Sequence, residues 1–215
     1  MIRVLVADDE AIVREGLVAI VGSDPGLAVV GTAGDGHEAV AATRRTLPDV
    51  VLMDIRMPGL DGVEATRRIV ASGSAAKVLV LTTVEQDDVV LAALRAGVSG
   101  FLLTSVPRDR LYAGIRAVAD GEALLAPSIT RRLIESHVGA SPTPLAAPMT
   151  LTERQADIVR LVARGLSNQE IADRTHLAVT TVKGYVSDVL VQHRLRDRTQ
   201  LVVLAYESGL VTVGG

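Results

Sequence analysis

The chain has 215 residues, of which 48% are hydrophobic, 22% charged and 2% aromatic, and its formal net charge is −3. The length suffices for one large or two small domains. The lack of cysteine excludes disulfides and thiolate metal sites, and the scarcity of aromatic residues argues against binding of single-stranded nucleic acid by base stacking. Because the chain has no overall positive charge, DNA binding would need a local basic surface. No apolar run approaches the roughly 18 residues of a membrane span, so we expect a cytoplasmic protein with no membrane contact.

Residues 1–120 alternate short apolar runs with segments in which apolar residues recur at helical spacing. The runs are rich in Val, Ile and Leu and show little alternation, as is typical of strands covered by helices on both faces. They lie at 2–7, 27–32, 49–54, 77–83 and 99–103. Five such strand–helix repeats predict an α/β fold, a doubly wound five-stranded parallel sheet.

Acidic residues stand at the ends of two of these runs. Asp8 and Asp9 follow the first run, and Asp54 ends the third. In the usual strand order 2-1-3-4-5 these strands are neighbours, so we expect the three carboxylates to meet in one crevice at the carboxyl ends. An all-oxygen site of this kind suits a hard cation, above all Mg²⁺. The alternative is that each residue is a solvated turn residue or a helix cap.

An acidic pocket that holds Mg²⁺ attracts phosphate, and one of its carboxylates can be the nucleophile. Asp54 is the candidate because it ends the central strand. The loop "IRMPGLDG" that follows can turn the carbonyl of Arg56 toward the metal. Thr82, at the end of the fourth run, can place its hydroxyl on a phosphoryl oxygen.

The second part of the chain has a different pattern. Residues 121–148 predict a linker with one helix, "APSITRRLIESHV", followed by a proline-rich stretch that also contains Gly and Ser. In residues 149–215 the strand pattern stops and four helical segments follow, which predicts a small all-α domain. Its helix starts are marked by Thr152, Ser167 and Thr180, and its helix ends by Gly165 and Gly209.

Several motifs resemble one family. "ADDE", "LMDIRMPGLDG", "VLTT" and "AGVSGFLL" stand in the order and spacing of bacterial response-regulator receiver domains, which have a flavodoxin-like fold. "LTERQADIVRLVARGLSNQEIADR" and "TTVKGYVSDVL" resemble the LuxR-type helix-turn-helix. Together they resemble a two-component response regulator of the NarL/FixJ family, a transcription factor and not an enzyme. The resemblance implies a receiver domain at 1–120, a linker at 121–148 and the DNA-binding domain at 149–215.

The resemblance also assigns roles in the acidic crevice. It implies that a sensor histidine kinase phosphorylates Asp54 and that Asp8, Asp9, Asp54 and the carbonyl of Arg56 hold Mg²⁺. Thr82 becomes the switch hydroxyl, and Phe101 becomes the aromatic residue that reorients with it.

One position departs from the family pattern. Receivers carry a lysine after the fifth strand, in "FLLK", whereas this chain has "FLLT" with Thr104 there. A hydroxyl cannot replace a cation whose pairing in a partly buried pocket is worth roughly a few kcal/mol. Arg108 and Arg110, the nearest cations in sequence, lie on the next helix.

Three consequences of Thr104 stay open at this point. Phosphorylation persists with weaker coupling to the switch, another cation substitutes, or the protein is a phosphate-independent regulator that responds to a ligand or a protein. An aspartyl-phosphate phosphatase or phosphotransferase is a further alternative, but short loops leave no room for its substrate pocket.

In a helix-turn-helix the second helix enters the major groove. The sequence predicts a supporting helix at 167–174, a turn "HLAV" and a recognition helix at 180–193. Lys183 is the clearest phosphate or guanine contact. The residues expected on its exposed early turns are Thr180, Thr181, Lys183, Gly184, Tyr185 and Ser187. Three arginines follow just beyond this helix and either contact the DNA backbone or are solvated: Arg194, Arg196 and Arg198.

The charge of the helical part bears on how it binds. Residues 149–215 hold eight basic and seven acidic side chains, which predicts modest affinity per monomer and therefore a homodimer on a double-stranded operator with paired half-sites. The apolar run "TQLVVLAY" at 199–206 is either a dimer face or part of the core. The alternative for the whole segment is a helical dimerisation module whose charges are solvated.

Overall fold

The structure is a computed structural model that describes residues 1–82, 87–122 and 148–211, with only the backbone at 87 and 88. The chain divides into two compact units, Met1–Leu124 and Leu125–Gly215. The helix predicted in the linker lies outside the described residues, and the linker bounds stay a prediction. No helix in the described ranges is long and apolar enough to cross a membrane.

The first unit is a parallel sheet with a helix after each strand. The strands are β1 (Ile2–Ala7), β2 (Leu27–Ala33), β3 (Val50–Asp54), β4 (Lys77–Thr82) and β5 (Gly100–Leu103), in the order β2-β1-β3-β4-β5. The helices are α1 (Ala11–Gly22), α2 (Gly36–Thr46), α3 (Gly62–Ala71), α4 (Asp87–Ala96) and α5 (Arg108–Ala119). The predicted doubly wound five-stranded sheet and its strand order are confirmed.

The apolar runs form the core of this unit because helices cover both faces of the sheet. In β1, β3 and β4 the ranges 4–6, 50–53 and 78–80 are all at most 1% exposed. One face of α5 packs on the same cluster through Leu111 and Ile115. Each fully buried Val or Leu side chain stabilises the folded state by about 1.5–3 kcal/mol relative to an exposed one. Burial therefore fixes these strands in the core, and with them the positions of their carboxyl ends.

The second unit consists, in its described part, of four helices as predicted. They are α6 (Glu153–Ala163), α7 (Asn168–Thr175), α8 (Val179–Gln192) and α9 (Arg198–Glu207). Thr152 and Ser167 begin α6 and α7 with capping boxes. Gly165 and Gly209 follow α6 and α9 with φ of 84° and 74°, the left-handed conformation that ends helices.

The predicted cap at Thr180 is wrong. Helix α8 begins at Val179, its N-cap is Ala178, and no side chain caps it. The turn explains the difference: His176 adopts a left-handed conformation with φ of 55°, and the Leu177 N–H donates to the carbonyl of Ala172 at 3.1 Å. This tight closure returns the chain to a helix early and leaves Thr180 inside it.

The apolar run at 199–206 is buried, which favours its role as core over a dimer face. Leu201 and Ala205 have no exposed surface, and Tyr206 is 6% exposed. The Tyr206 hydroxyl donates to the carbonyl of Ala163 at 3.1 Å, which joins α9 to the end of α6.

Candidate functional site

The acidic residues meet at the carboxyl edge of the sheet. Ala7 of β1 pairs with Met53 of β3, so Asp8 and Asp54 occupy equivalent next positions on adjacent strands. Asp8 is buried, with 7% of its surface exposed, whereas Asp54 is half-buried and Asp9 is exposed. The ends of β1 and β3 are therefore adjacent as predicted, with Asp54 at the end of the central strand, while the meeting of all three carboxylates in one crevice stays a prediction.

Asp8 is fixed by three hydrogen bonds. Its N–H donates to the carbonyl of Ala33 at 3.1 Å, and its carboxylate accepts from the N–H of Glu10 at 2.9 Å. Its carbonyl accepts from Nη1 of Arg14 at 2.6 Å. Sequence reasoning missed Arg14, although a basic residue in the first turn of a helix opposes the helix dipole, and that placement was the available signal.

The two inner carboxylates both titrate above their ordinary range. Burial, and then the charge of Asp8, raise the pKa of Asp54 to about 6, while backbone hydrogen bonds from Ile55 and Arg56 oppose the shift. Burial also raises the pKa of Asp8, as do the charges of Asp9 and Glu10, against the Glu10 hydrogen bond and the charge of Arg14. Among the described residues, the largest influences on the pKa of Asp54 are burial, the neighbouring carboxylates and the two backbone hydrogen bonds. The pocket thus disfavours the ionised form of both carboxylates, and a bound cation would stabilise that form.

The chemistry of the donors fits Mg²⁺. The three carboxylates and the Arg56 carbonyl offer oxygen only, and Mg²⁺ binds through one or two carboxylates while it keeps several waters. The Arg56 N–H donates to Oδ2 of Asp54 at 3.2 Å, so the loop after β3 lies against that carboxylate. In the ranges that the structure describes, no three His, Cys, Asp or Glu side chains form a preformed metal cluster.

Two glycines determine how the chain leaves β3. A Cβ at Gly62 would lie 2.0 Å from the carbonyl oxygen of Asp54, and one at Gly36 would lie 2.2 Å from the carbonyl oxygen of Leu60. The Gly62 N–H also donates to the carbonyl of Ile55 at 2.9 Å. The start of α3 can therefore pack directly against the end of β3 only because residue 62 has no side chain.

The predicted switch residues lie on the neighbouring strands of the same sheet. Thr82 of β4 is half-buried and lies one residue beyond Leu81, the partner of Asp54. Phe101 of β5 is buried, with 3% of its surface exposed. The N–H of Thr104 donates to the carbonyl of Thr82 at 3.0 Å, which places residue 104 at this edge with its side chain exposed.

The arginines near Thr104 in sequence are both exposed. Arg108 has its Nε 4.0 Å from a carboxylate oxygen of Asp109 on the same helix. Arg110 also lies on α5, and neither arginine is among the main influences on the pKa of Asp54.

In the second unit, α8 has a buried and an exposed face. Val182, Val186 and Val189 are buried and hold the helix on its domain. The residues predicted to contact DNA are exposed except for Tyr185, which is half-buried; the exposed ones are Thr180, Thr181, Lys183, Gly184 and Ser187. The exposed residues among the predicted contacts are therefore small ones and one cation, while Asp188 of the same helix is also exposed.

The three arginines after α8 behave differently from one another. Arg194 is exposed, and burial lowers the pKa of Arg196. The prediction for Arg198, a contact to the DNA backbone or a solvated side chain, is wrong. Arg198 is 7% exposed and donates to Oδ1 of Asn168 at 2.6 Å and to the carbonyl of Leu166. It joins α9 to the start of α7, the helix before the turn.

Comparison with known proteins covers both units. The model of the response regulator receiver domain matches residues 4–116, and that of the luxR family of bacterial regulatory proteins matches residues 149–205. These matches correspond to the sheet with its acidic edge and to the four helices.

Full-length relatives share both parts. The chain is 36% identical to the transcriptional regulatory protein LiaR of Bacillus subtilis (strain 168), over 98% of this chain and 100% of LiaR. It is 36% identical to the response regulator protein VraR of Staphylococcus aureus (strain NCTC 8325 / PS 47), over 98% of this chain and 99% of VraR. The crystal structure of response regulator ChrA, from a heme-sensing two-component system, is 32% identical with a TM-score of 0.53 and covers 98% of both chains.

Proposed function

The chain belongs to the response regulators that join a receiver domain to a LuxR-type DNA-binding domain, and we propose that Mg²⁺-dependent phosphorylation of Asp54 switches it. As a member of this family it is a transcription regulator of a two-component system. The observation that carries the proposal is the position of Asp54, half-buried at the end of the central strand beside Asp8.

The phosphoryl donor in this proposal is a phosphohistidine of a sensor kinase. An Asp54 carboxylate oxygen attacks the phosphorus, the new P–O bond forms as the P–N bond breaks, and the histidine ring leaves with the electron pair and takes up a proton from solvent. The metal site consists of Asp8, Asp9, Asp54 and the Arg56 carbonyl. When bound there, Mg²⁺ neutralises charge on the transferring phosphoryl oxygens.

The phosphoryl group is then sensed along the strand ends. Thr82 donates its hydroxyl to a phosphoryl oxygen, and Phe101, which is buried with 3% of its surface exposed, reorients with it. Thr104 stands in place of the lysine that would otherwise pair with the phosphate, so coupling to the switch is weaker than in receivers that have one.

The output is binding of double-stranded operator DNA by a homodimer. The exposed face of α8 enters the major groove, with Lys183 at a phosphate or guanine and with Thr180, Thr181, Gly184 and Ser187 along the groove. The half-buried Tyr185 stands at the edge of this face. The DNA target places the protein in the cytoplasm, and the proposal includes no enzymatic turnover and no membrane contact.

A second candidate function follows from Thr104. A receiver with Thr104 in place of the lysine is also compatible with a phosphate-independent regulator that responds to a ligand or a protein. In that case the acidic edge binds Mg²⁺ but is not phosphorylated.

Intact-mass measurement separates the two functions. The protein is incubated with Mg²⁺ and acetyl phosphate, and in parallel with a histidine kinase, with Asp54→Asn as the matched control. We expect a phosphoryl adduct on the wild type alone. An unmodified wild type with both donors would contradict the phosphorylation proposal and favour the phosphate-independent regulator.

A further inference from the structure

The guanidinium of Arg14 lies beside the acidic turn after β1. Its Nη1 donates to the carbonyl of Asp8 at 2.6 Å, and the side chain comes from the first turn of α1. A Cβ at Gly34 would lie 3.6 Å from the same Nη1, so the group also approaches the turn after β2. Arg14 therefore reaches the ends of two adjacent strands.

This contact restrains the peptide between the two acidic residues. The carbonyl that Arg14 binds belongs to the peptide that joins Asp8 to Asp9. Because this oxygen lies in the peptide plane, its hydrogen bond fixes that plane and with it the direction in which the chain continues to Asp9. The Asp8 N–H is held by Ala33, and the Asp8 carboxylate is held by the Glu10 N–H. With the carbonyl also bound, the N–H, the carboxylate and the carbonyl of Asp8 each have a hydrogen-bond partner.

The position of Arg14 carries two electrostatic costs. A cation in the first turn of α1 opposes the helix dipole, and a cation beside a metal site repels Mg²⁺. At a pH at which Asp8 is ionised, removal of an Arg14 that acted only through its charge would tighten Mg²⁺ binding. If it acts by orienting the turn, its removal weakens Mg²⁺ binding, so the two roles predict opposite signs.

We propose that Arg14 is a positioning residue for the metal site and that its hydrogen bond to the Asp8 carbonyl holds the Asp8–Asp9 turn in the orientation that binds Mg²⁺. This inference rests on the proposed Mg²⁺-dependent function. Loss of a group that orients a metal ligand typically lowers metal affinity by about 10- to 100-fold. Because the bond is made to the main chain and not to the ligating carboxylate, we expect the lower end, about tenfold.

Titration of the ¹⁵N-labelled full-length chain with MgCl₂, followed by NMR at the amides of residues 8–10 and 54–56, tests this inference. We expect Arg14→Gln to raise the Mg²⁺ dissociation constant about tenfold and Arg14→Lys, which keeps a donor and the charge, to restore most of the affinity. Arg45→Gln, an exposed residue near the end of α2, removes the same charge away from the site and should leave the constant unchanged.

The outcomes are distinct. A dissociation constant for Arg14→Gln equal to or lower than that of the wild type overturns the positioning role, and a lower value assigns Arg14 a purely electrostatic one. A merely structural role would decrease the free energy of unfolding without a change in Mg²⁺ affinity. If the spectrum of Arg14→Gln shows an unfolded chain, Arg14→Met, which keeps the aliphatic stem, repeats the test. Failure of the wild type to bind Mg²⁺ overturns the proposed function itself.

Discussion

Asp54 combines burial with the charge of a neighbouring carboxylate, and this combination makes the stability of the receiver unit depend on pH. Its pKa in the folded chain is about 6, above the ordinary value of 3.8. The folded state thus binds the proton more tightly than the unfolded state does. The resulting stability is fully present below pH 3.8 and is lost as the pH rises through about 6.

Asp54→Asn removes this titration. We expect the variant to be more stable than the metal-free wild type at pH 8, with the difference shrinking toward pH 4. The full shift corresponds to about 3 kcal/mol, and because the group is half exposed to solvent we expect about 1 kcal/mol. Hydrogen exchange of β3 amides measures the free energy of unfolding of this unit. Asp109→Asn, whose side chain is 93% exposed, is the control, and a pH-independent difference for Asp54→Asn would contradict the prediction.

Thr104→Lys tests whether the missing cation accounts for the raised pKa of Asp54. A cation near a carboxylate lowers its pKa by about 1–3 units, so we expect the pKa of Asp54 to fall from about 6 toward its ordinary range. Carboxyl ¹³C NMR across a pH titration measures the change. Thr104→Gln has a long side chain without charge and should leave the pKa in place. An unchanged pKa in Thr104→Lys would mean that a side chain at 104 does not reach Asp54.

At the scale of single residues, prediction from sequence succeeded where position in an element decides the outcome. Asp8 and Asp54 end strands whose neighbours follow from the fold class, so their convergence was foreseeable. Arg14 and Arg198 were not, because their contacts depend on how α1 lies against two strand ends and how α9 meets α7. Basic residues in helices are mostly solvated. For Arg14 the only local signal is its unfavourable place in the first turn of α1, and for Arg198 there is none.

Among the elements, α8 carries the clearest functional feature. Gly184 lies in the middle of this helix and is exposed, and a Cβ added there would meet nothing within 4 Å. A glycine inside a helix costs about 0.5–1 kcal/mol relative to alanine, and no packing within the described chain requires it. Close approach of the α8 backbone to base edges gives a reason for this residue.

Gly184→Ala should therefore have two opposite effects. We expect the free energy of unfolding to rise by about 0.5–1 kcal/mol and the affinity for DNA to fall. Gly16→Ala is the matched control, because Gly16 is also exposed within a helix and free of contacts at its Cβ position; it should gain stability alone. The affinity is measured with a duplex that the wild-type chain selects from a random pool. Equal affinity of Gly184→Ala and wild type would contradict close approach at residue 184.

The boundaries of strands and helices show where the local sequence pattern is sufficient to predict the structure. The strand ends are predicted to within one residue, because each apolar run closely matches the length of its strand. The start of α8 was placed one residue late, since threonine is a common cap and the left-handed His176 that closes the turn has no signature in the sequence. Backbone closure, and not side-chain capping, determines this helix start.

For the whole molecule, the near balance of eight basic and seven acidic side chains in residues 149–215 makes Lys183 important for DNA affinity. Each phosphate neutralised by a protein cation contributes about 0.9 to the slope of log affinity against log salt concentration. If the protein binds as a homodimer with Lys183 on a phosphate in each half-site, Lys183→Gln should lower the slope by about 2.

The size of this decrease reports how many chains bind. A decrease of about 1 would indicate one chain on the DNA or one contacting lysine, and no decrease would mean that Lys183 contacts a base or nothing. Arg45→Gln, with the same change of charge on the receiver unit, is the control and should leave the slope unchanged. The measurement is made on the selected duplex before and after phosphorylation. If phosphorylation acts by pairing two chains, the larger decrease appears only in the phosphorylated protein, whereas a constitutive dimer shows it in both.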